Sequence, residues 1–353
     1  MNNNLTYTEQ IDQENVLKLR ELRKVLPRFL GAYFISVDQV LASRTKIAYA
    51  IDLKTFFDYI KASNPVYRDK EIPDFGIDTI SHLNFTDIYE YMEYLKLYET
   101  PEGKRVSNNG RAIKRKMSAV RSMYNYFYKN EVIEANPAIQ VDMPRLHDKA
   151  IIRLDVNEIA DLLDAVETGN TLTDQQLRFH RKNKKRDLAL MTLMLGTGIR
   201  VSECVGLDLA DIDFNNDRIK IVRKGGNEAF VYFGDEVREA LEAYLEERET
   251  ADGILEGHEN ALFLSSRSRR LTVRSVEVLV KKYSKTVISM KNITPHKLRS
   301  TYGTALYQKT GDIYLVADVL GHKDVNTTKK HYAAIEEERR RSARNKVVLR
   351  KDK

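Results

Sequence analysis

Residues 294 to 335, TPHKLRSTYGTALYQKTGDIYLVADVLGHKDVNTTKKHYAAI, hold three of the chain's seven histidines, His296, His322 and His331, with Arg299 and Tyr332 beside them. Three kinds of site could draw imidazoles together: a metal centre, a helical core that happens to include them, or a cluster that works on a phosphate. A zinc site needs three or four neutral or thiolate ligands. Here His296 and His322 sit among Lys and Arg, which repel a cation, and the chain has a single cysteine, Cys204. No metal and no cofactor is expected. The core reading is harder to dismiss for any one residue, because a His followed three places later by a basic residue is expected about once from composition alone, and Tyr332 is one of 19 tyrosines.

The phosphate reading gains from what lies upstream. TGIRVSE places Arg200 just after a Gly-Thr-Gly turn at the end of an apolar helix, where a guanidinium needs an anionic partner: a bound phosphate, or Glu203, which would leave Arg200 a structural role only. Lys224 sits in KGGN, the expected tip of a hairpin. Two arginines, two imidazoles, a lysine and a phenol suffice for phosphoryl transfer without metal. The arginines offset charge on the nonbridging oxygens, an imidazole takes the phenol proton, and the ammonium protonates the leaving oxygen. Each residue alone is ordinary; together they point to a phosphodiester.

The elements that must position them are mostly helical. At 353 residues the chain exceeds the usual limit for one core, so two domains are expected. In the first, SRTKIAYAIDLKTFFDYIKAS places Ile47, Ile51, Phe56 and Tyr59 on one face with Ser43 as N-cap. TDIYEYMEYLKLYE has Thr86 as cap and Ile88, Met92 and Leu95 inward. GRAIKRKMSAVRSMYNYFYKN spaces Ile113, Met117, Val120, Tyr124 and Phe127 at steps of four and three, with Arg111, Lys114, Arg115 and Arg121 largely off that stripe. Residues 136–150, with two prolines and no sustained period, read as the interdomain connection, the first domain ending near Val141.

Beyond it, DVNEIADLLDAVE is an amphipathic helix, RFHRKNKKR reads as a basic loop, and RDLALMTLML is a buried helix ending at Gly196-Thr197-Gly198. DIDF, RIKIVR and AFVYF, separated by tight turns, form the one expected sheet, a three-stranded antiparallel meander. GDEVREALEAYLEER and TVRSVEVLVKKYSKT resume the helices. In TPHKLRSTYGTALYQKT, Thr294 caps and Pro295 opens a helix that carries His296 and Arg299 on one face. A shorter helix ends at Leu320 with Gly321 as its stop, His322 falls in the turn, and Asp324 caps a further helix.

Charge suggests the partner. The net charge of +7 is clustered: seven basic residues and no acid from Lys104 to Arg121, six basic and no acid from Arg178 to Arg186, and eight basic against four acidic in the tail 336–353. One such run is usually a solvated face, but three in one chain favour a polyanion. No apolar run approaches the roughly 18 residues of a membrane span, and the N-terminus lacks the basic-then-apolar layout of a signal peptide, so a cytoplasmic protein is expected.

TGIRVSECVGLDLADID, the hairpin VRKGGNEAFVYF, TPHKLRSTYGTALYQKTGD and LGHKDVNTTKKHY resemble, in residues and in order, the catalytic motifs of the tyrosine recombinase (phage integrase, Xer-like) family. The resemblance covers about residues 150 to 335. SRTKIAYAIDLKTFF is similar, more loosely, to that family's core-site DNA-binding domain. It implies a mainly α protein with an N-terminal helical-bundle (SAM-like) DNA-binding domain at 1–141, a linker at 142–150, a catalytic domain at 151–335 with the small sheet, and a basic tail at 336–353 able to dock on a neighbouring subunit. Arg200 and Arg299 would be the catalytic arginines, Lys224 the general acid, His296 the partner of Arg299, His322 a phosphate ligand and Tyr332 the nucleophile. His331 would only cap or pack. Arg44, Lys46, Arg111, Lys114, Arg115 and Arg121 would face DNA. The implied partners are two double-stranded recombination sites, a homo-tetramer on DNA, and an accessory directionality factor.

Two other classes share parts of this pattern. A type IB topoisomerase would use the same nucleophile and reseal the same strand, but it would be expected to carry a large extra domain, and the similarity of the N-terminal segment to the recombinase core-site domain argues against it. A catalytically idle DNA-binding protein would have no need of all six catalytic residue types. The basic stretch Arg178–Arg186 is longer than expected for compact Xer-like members, which leaves a housekeeping resolvase and a mobile-element integrase both open.

Overall fold

The computed structural model describes residues 6–146, 152–223, 226–288, 291–322 and 324–325. Lys224, His331, Tyr332 and the tail 336–353 lie outside the described residues. The chain divides into two compact units, Met1–Lys149 and Ala150–Lys353.

The first unit runs α1 (Tyr7–Lys24), α2 (Leu30–Ser36), α3 (Ser43–Ser63), α4 (Asp78–Ser81), α5 (Phe85–Tyr94), β1 (Leu97–Glu99), β2 (Arg105–Ser107), α6 (Gly110–Lys129) and α7 (Pro137–Gln140). Helices α3 and α6 pack together at its centre. The five apolar residues expected on the inner face of α6 are all buried. On α3, Ile47 and Phe56 are buried as expected, and Ala50, Leu53, Phe57 and Ile60 complete the buried face. Those steps of three and four leave Ile51 one position further round the helix, where it is 43% exposed. Aromatic rings dominate the core, with Phe56 and Tyr91 edge to face at 4.9 Å.

Two caps differ from expectation. Ser43 is the first residue of α3 and Ala42 its cap. The Ser43 hydroxyl donates to Asp12 Oδ1 at 2.6 Å and accepts from Asn15 at 2.9 Å, fastening α3 to α1. Asn84, a better cap than Thr86, starts α5: its side-chain oxygen accepts from the Thr86 N–H at 2.7 Å, while Asp87 reaches back to the Asn84 N–H at 2.7 Å. The sheet β1–β2 is an addition to the single sheet expected. Its turn, Thr100-Pro101-Glu102-Gly103, closes with a 2.8 Å bond from the Gly103 N–H to the Thr100 carbonyl, and Gly103 takes φ +79°. Residues 137–140 are not open linker either, because α7 buries Pro137 and Ala138 and is followed by buried Val141.

The second unit runs α8 (Val156–Thr168), α9 (Asp174–Thr197), α10 (Val201–Gly206), β3 (Ile212–Asp213), β4 (Arg218–Val222), β5 (Glu228–Tyr232), α11 (Asp235–Glu249), α12 (Val273–Val287), α13 (Pro295–Thr310) and α14 (Ile313–Val319). The antiparallel meander β3-β4-β5 has Ile219 opposite Val231, both buried. Helix α9 is the hub, packing against α8, α10, α11 and α13.

Helix α9 also corrects the sequence reading. The basic stretch Arg178–Arg186 is not a loop: it continues the buried segment as one 24-residue helix, opened by a capping box between Thr173 and Gln176. Only one side of it needs to pack, and Lys, Arg and Gln are good helix formers on the other. The packed side is polar. His180 is buried with Nδ1 3.0 Å from the Tyr283 hydroxyl, which donates to Asp187 Oδ2 at 2.8 Å. Arg186 grips the other oxygen of Asp187 through Nε at 3.0 Å. Among the described residues no helix is long and apolar enough to cross a membrane.

Candidate active site

Helix α9 is apolar almost all round from Leu188 onward and stops at Gly198, whose φ of +64° a residue with a Cβ adopts only with strain. The chain then turns and sets Arg200 in an extended conformation as the N-cap of α10. Glu203, one turn on and buried, accepts from the Arg200 backbone N–H at 2.9 Å and from Nη1 at 2.7 Å. Glu203 is therefore the anionic partner that the position of Arg200 required. It uses one guanidinium N–H, and Nη2 gives a second to the Gly321 carbonyl at 3.0 Å. The side chain is 35% exposed, so the remaining donors are within reach of an anion from solvent.

Arg299 comes from α13. Pro295 opens that helix at its first position, as the sequence suggested, although the Thr294 side chain makes no capping bond. The start of the second unit is tied to α13 by the Leu154 N–H, which donates to Thr301 Oγ1 at 3.0 Å. Arg299 is 7% exposed and donates through Nη1 to the Gly198 carbonyl at 2.6 Å and through Nη2 to the Leu320 carbonyl. His296, one turn earlier, is exposed.

The two arginines meet at the end of α14. That helix is capped at its start by Asp312, which accepts from the Tyr314 and Leu315 N–H groups at 2.8 and 3.1 Å. It closes through bonds of 2.8 Å from the Gly321 N–H to the Asp318 carbonyl and from the His322 N–H to the Ala317 carbonyl, with Gly321 at φ +59°. The last carbonyls of a helix carry partial negative charge and have no partner within it. Here they are met by guanidinium groups: Leu320 by Arg299, Gly321 by Arg200, and Val319 by Arg223 at 3.2 Å. The helix end thus holds the cations together and sets them beside His322.

The structure therefore brings Arg200, Arg299 and His322 to one turn and places His296 on the same helix as Arg299. Arg223 is the site residue that sequence reasoning passed over. Its position beside Lys224 was visible, but its partners lie 95 and 96 residues away. Cys204, fully buried behind Arg200, has its thiol pushed up to about 12 by burial and so stays protonated. Among the described residues no three His, Cys, Asp or Glu side chains gather as a metal site.

In the first unit, Arg44, Arg111, Lys114 and Arg115 are exposed. Arg115 pairs with Asp52, a fully buried carboxylate that Lys116 also contacts at 3.2 Å. Lys46 is only 7% exposed and is held by Asp38 at 2.6 Å. Arg121 donates to the Ala138 carbonyl at 3.0 Å and to that of Val141, pinning α7. Lys46 and Arg121 thus serve the fold, and Arg44, Arg111 and Lys114 form no ion pair among the described residues.

Residues 152–339 match the model of the phage integrase family. The chain is 33% identical to the tyrosine recombinase XerC of Caldanaerobacter subterraneus subsp. tengcongensis, with 92% of this chain and 87% of that protein covered. It is 29% identical to the tyrosine recombinase XerS of Streptococcus uberis over 92% and 96% of the two chains. Among solved structures, it shares its fold with XerH site-specific recombinase bound to palindromic difH substrate in a post-cleavage complex (TM-score 0.64, 18% identity, 86% of this chain and 80% of that one). The Tn1549 transposon integrase in complex with transposon right end DNA is similar too (TM-score 0.62, 18% identity, 89% and 98%). The chain belongs to the phage integrase family and is a tyrosine recombinase.

Proposed function

We propose that this tyrosine recombinase cuts and rejoins double-stranded DNA at specific sites through a 3′-phosphotyrosyl intermediate, in an Xer-like resolution reaction. The observation that carries the reading is the convergence of Arg200 and Arg299 on the turn that presents His322. The scissile phosphate takes the place beside this turn, its nonbridging oxygens held by the two guanidinium groups and His322. The Tyr332 oxygen attacks phosphorus, its proton passing to an imidazole of the cluster. The bond to the 5′-oxygen breaks, and Lys224 gives that oxygen a proton. The freed 5′-hydroxyl of the partner strand then attacks the phosphotyrosine. One phosphodiester is exchanged for another, so the bond energy is conserved and ATP is not consumed.

The XerC and XerS relatives, matched over most of their length, favour resolution over integration. Exchange between two sites needs two pairs of active subunits, hence a homo-tetramer on DNA, with the tail 336–353 docking on a neighbour and an accessory factor setting direction. The first unit supplies DNA contacts through Arg44, Arg111, Lys114 and Arg115, and the reaction takes place in the cytoplasm.

The test is to incubate wild-type protein and Tyr332→Phe with fragmented DNA from the source organism, denature, capture protein-linked DNA and sequence it. Tyr332-dependent adducts at one or a few paired sites are expected. Scattered adducts would replace this reading with topoisomerase activity, and binding without adducts would reduce it to DNA binding.

A further inference from the structure

We infer that Arg223 is a positioning residue for the reaction: it fastens the β4–β5 hairpin to the end of α14 and so sets where the hairpin presents its general acid. This rests on the proposed role of Lys224 as that acid. Arg223 is the last residue before the hairpin turn. Its N–H donates to the Asn227 carbonyl at 2.8 Å, and its own carbonyl accepts from the Gly226 N–H at 3.0 Å. Its side chain leaves the sheet and straddles two successive carbonyls of α14, Asp318 at 3.5 Å from Nη1 and Val319 at 3.2 Å from Nη2.

That contact is built into the neighbouring turn. A Cβ on Gly321 would lie 2.6 Å from the Arg223 Cζ and Nη1, so the guanidinium occupies space that only glycine leaves open. The same turn carries the carbonyls held by Arg200 and Arg299 and leads into His322. One rigid element thereby fixes the phosphate-facing arginines and, through Arg223, the base of the hairpin. Nε of Arg223 is buried without a partner among the described residues, so the two Nη contacts are what hold the side chain there. A lysine in its place offers a point charge and no fork to span two carbonyls.

The experiment compares strand cleavage by wild type, Arg223→Ala, Arg223→Lys and Lys224→Ala on a recombination site with the ordinary 5′-oxygen and on one with a 5′-bridging sulfur. The sulfur leaves without a proton and so needs no general acid. With oxygen, Arg223→Ala is expected to slow cleavage about 10- to 100-fold, the range of a misplaced proton donor, and Arg223→Lys to fall between it and wild type. With sulfur, all three variants should cleave within about threefold of wild type, as the proton-transfer step is bypassed. Equal loss on both substrates would mean that Arg223 only supports the fold, and no loss on oxygen would mean that it does nothing for the reaction. Either result overturns the inference. If Lys224→Ala is not rescued by sulfur, the general-acid reading fails first and takes this proposal with it.

Discussion

Gly198→Ala probes the turn on which both candidate arginines depend. At φ +64° an alanine costs about 1–2 kcal/mol in backbone strain. Its Cβ would also lie 2.4 Å from Tyr302 Cδ1 and 3.0 Å from Leu320 Cδ2. Relieving that contact by moving a half-buried ring and a helix end costs about a further 1–3 kcal/mol. Together these give a local loss of about 2–5 kcal/mol, and protection factors for slowly exchanging amides should fall about 30-fold or more. Hydrogen exchange read by mass spectrometry on the full chain measures it: peptides of α9, α13 and α14 lose protection, and those of α3 and α6 do not change. Because the Gly198 carbonyl accepts from Arg299, phosphotyrosine formation should fall as well. In the Tyr302→Ala background the steric part largely disappears, leaving about 1–2 kcal/mol from the backbone. Equal costs with and without Tyr302, or a loss spread evenly over both units, would refute the geometry.

Glu203→Gln keeps the shape but removes the charge that holds Arg200. Phosphotyrosine formation should drop about 10- to 100-fold, since charge-assisted bonds of this kind are worth about 1.5–3 kcal/mol, while the melting temperature moves little; a normal rate would show that Arg200 needs no such partner. His180 supplies a pH dependence. Burial, helped by Lys282, holds its pKa below the ordinary value, so the unfolded chain binds the proton more readily than the folded one. The stability from this group is complete above the unfolded pKa of about 6.5 and is lost as pH falls through the folded value. Thermal melts should therefore show the second unit weakening below about pH 6.5, with a smaller decline in His180→Gln; identical pH profiles would remove His180 as the cause.

The backbone that carries Arg200, Arg299 and His322 was legible because its signals are local. A Gly-Thr-Gly turn before Arg200, a Thr-Pro helix start before His296 and Arg299, and Gly321 before His322 each state a backbone conformation within a few positions. The stripe on α6 was legible for the same reason. The misread segments also carried local signals: Thr173 and Gln176 at capping-box spacing ahead of RFHRKNKKR, Asn84 beside Thr86, and a Pro-Glu-Gly turn between Tyr98 and Val106. There, basic composition and the more familiar Ser and Thr caps outweighed the better cue.

What the amino-acid order determined by itself, then, is the chemistry available, the helical character and the division of the chain into two units, since periodicity and turn residues act over short distances. Which cation faces what was decided only by the tertiary structure. Lys46 and Arg121 looked like surface charges and instead meet Asp38 and the α7 carbonyls. Arg223 looked like no more than a neighbour of Lys224 and instead grips a helix end almost a hundred residues away. A long charged side chain takes its role from whichever carbonyl or carboxylate the fold brings within about 3 Å, and packing sets that distance.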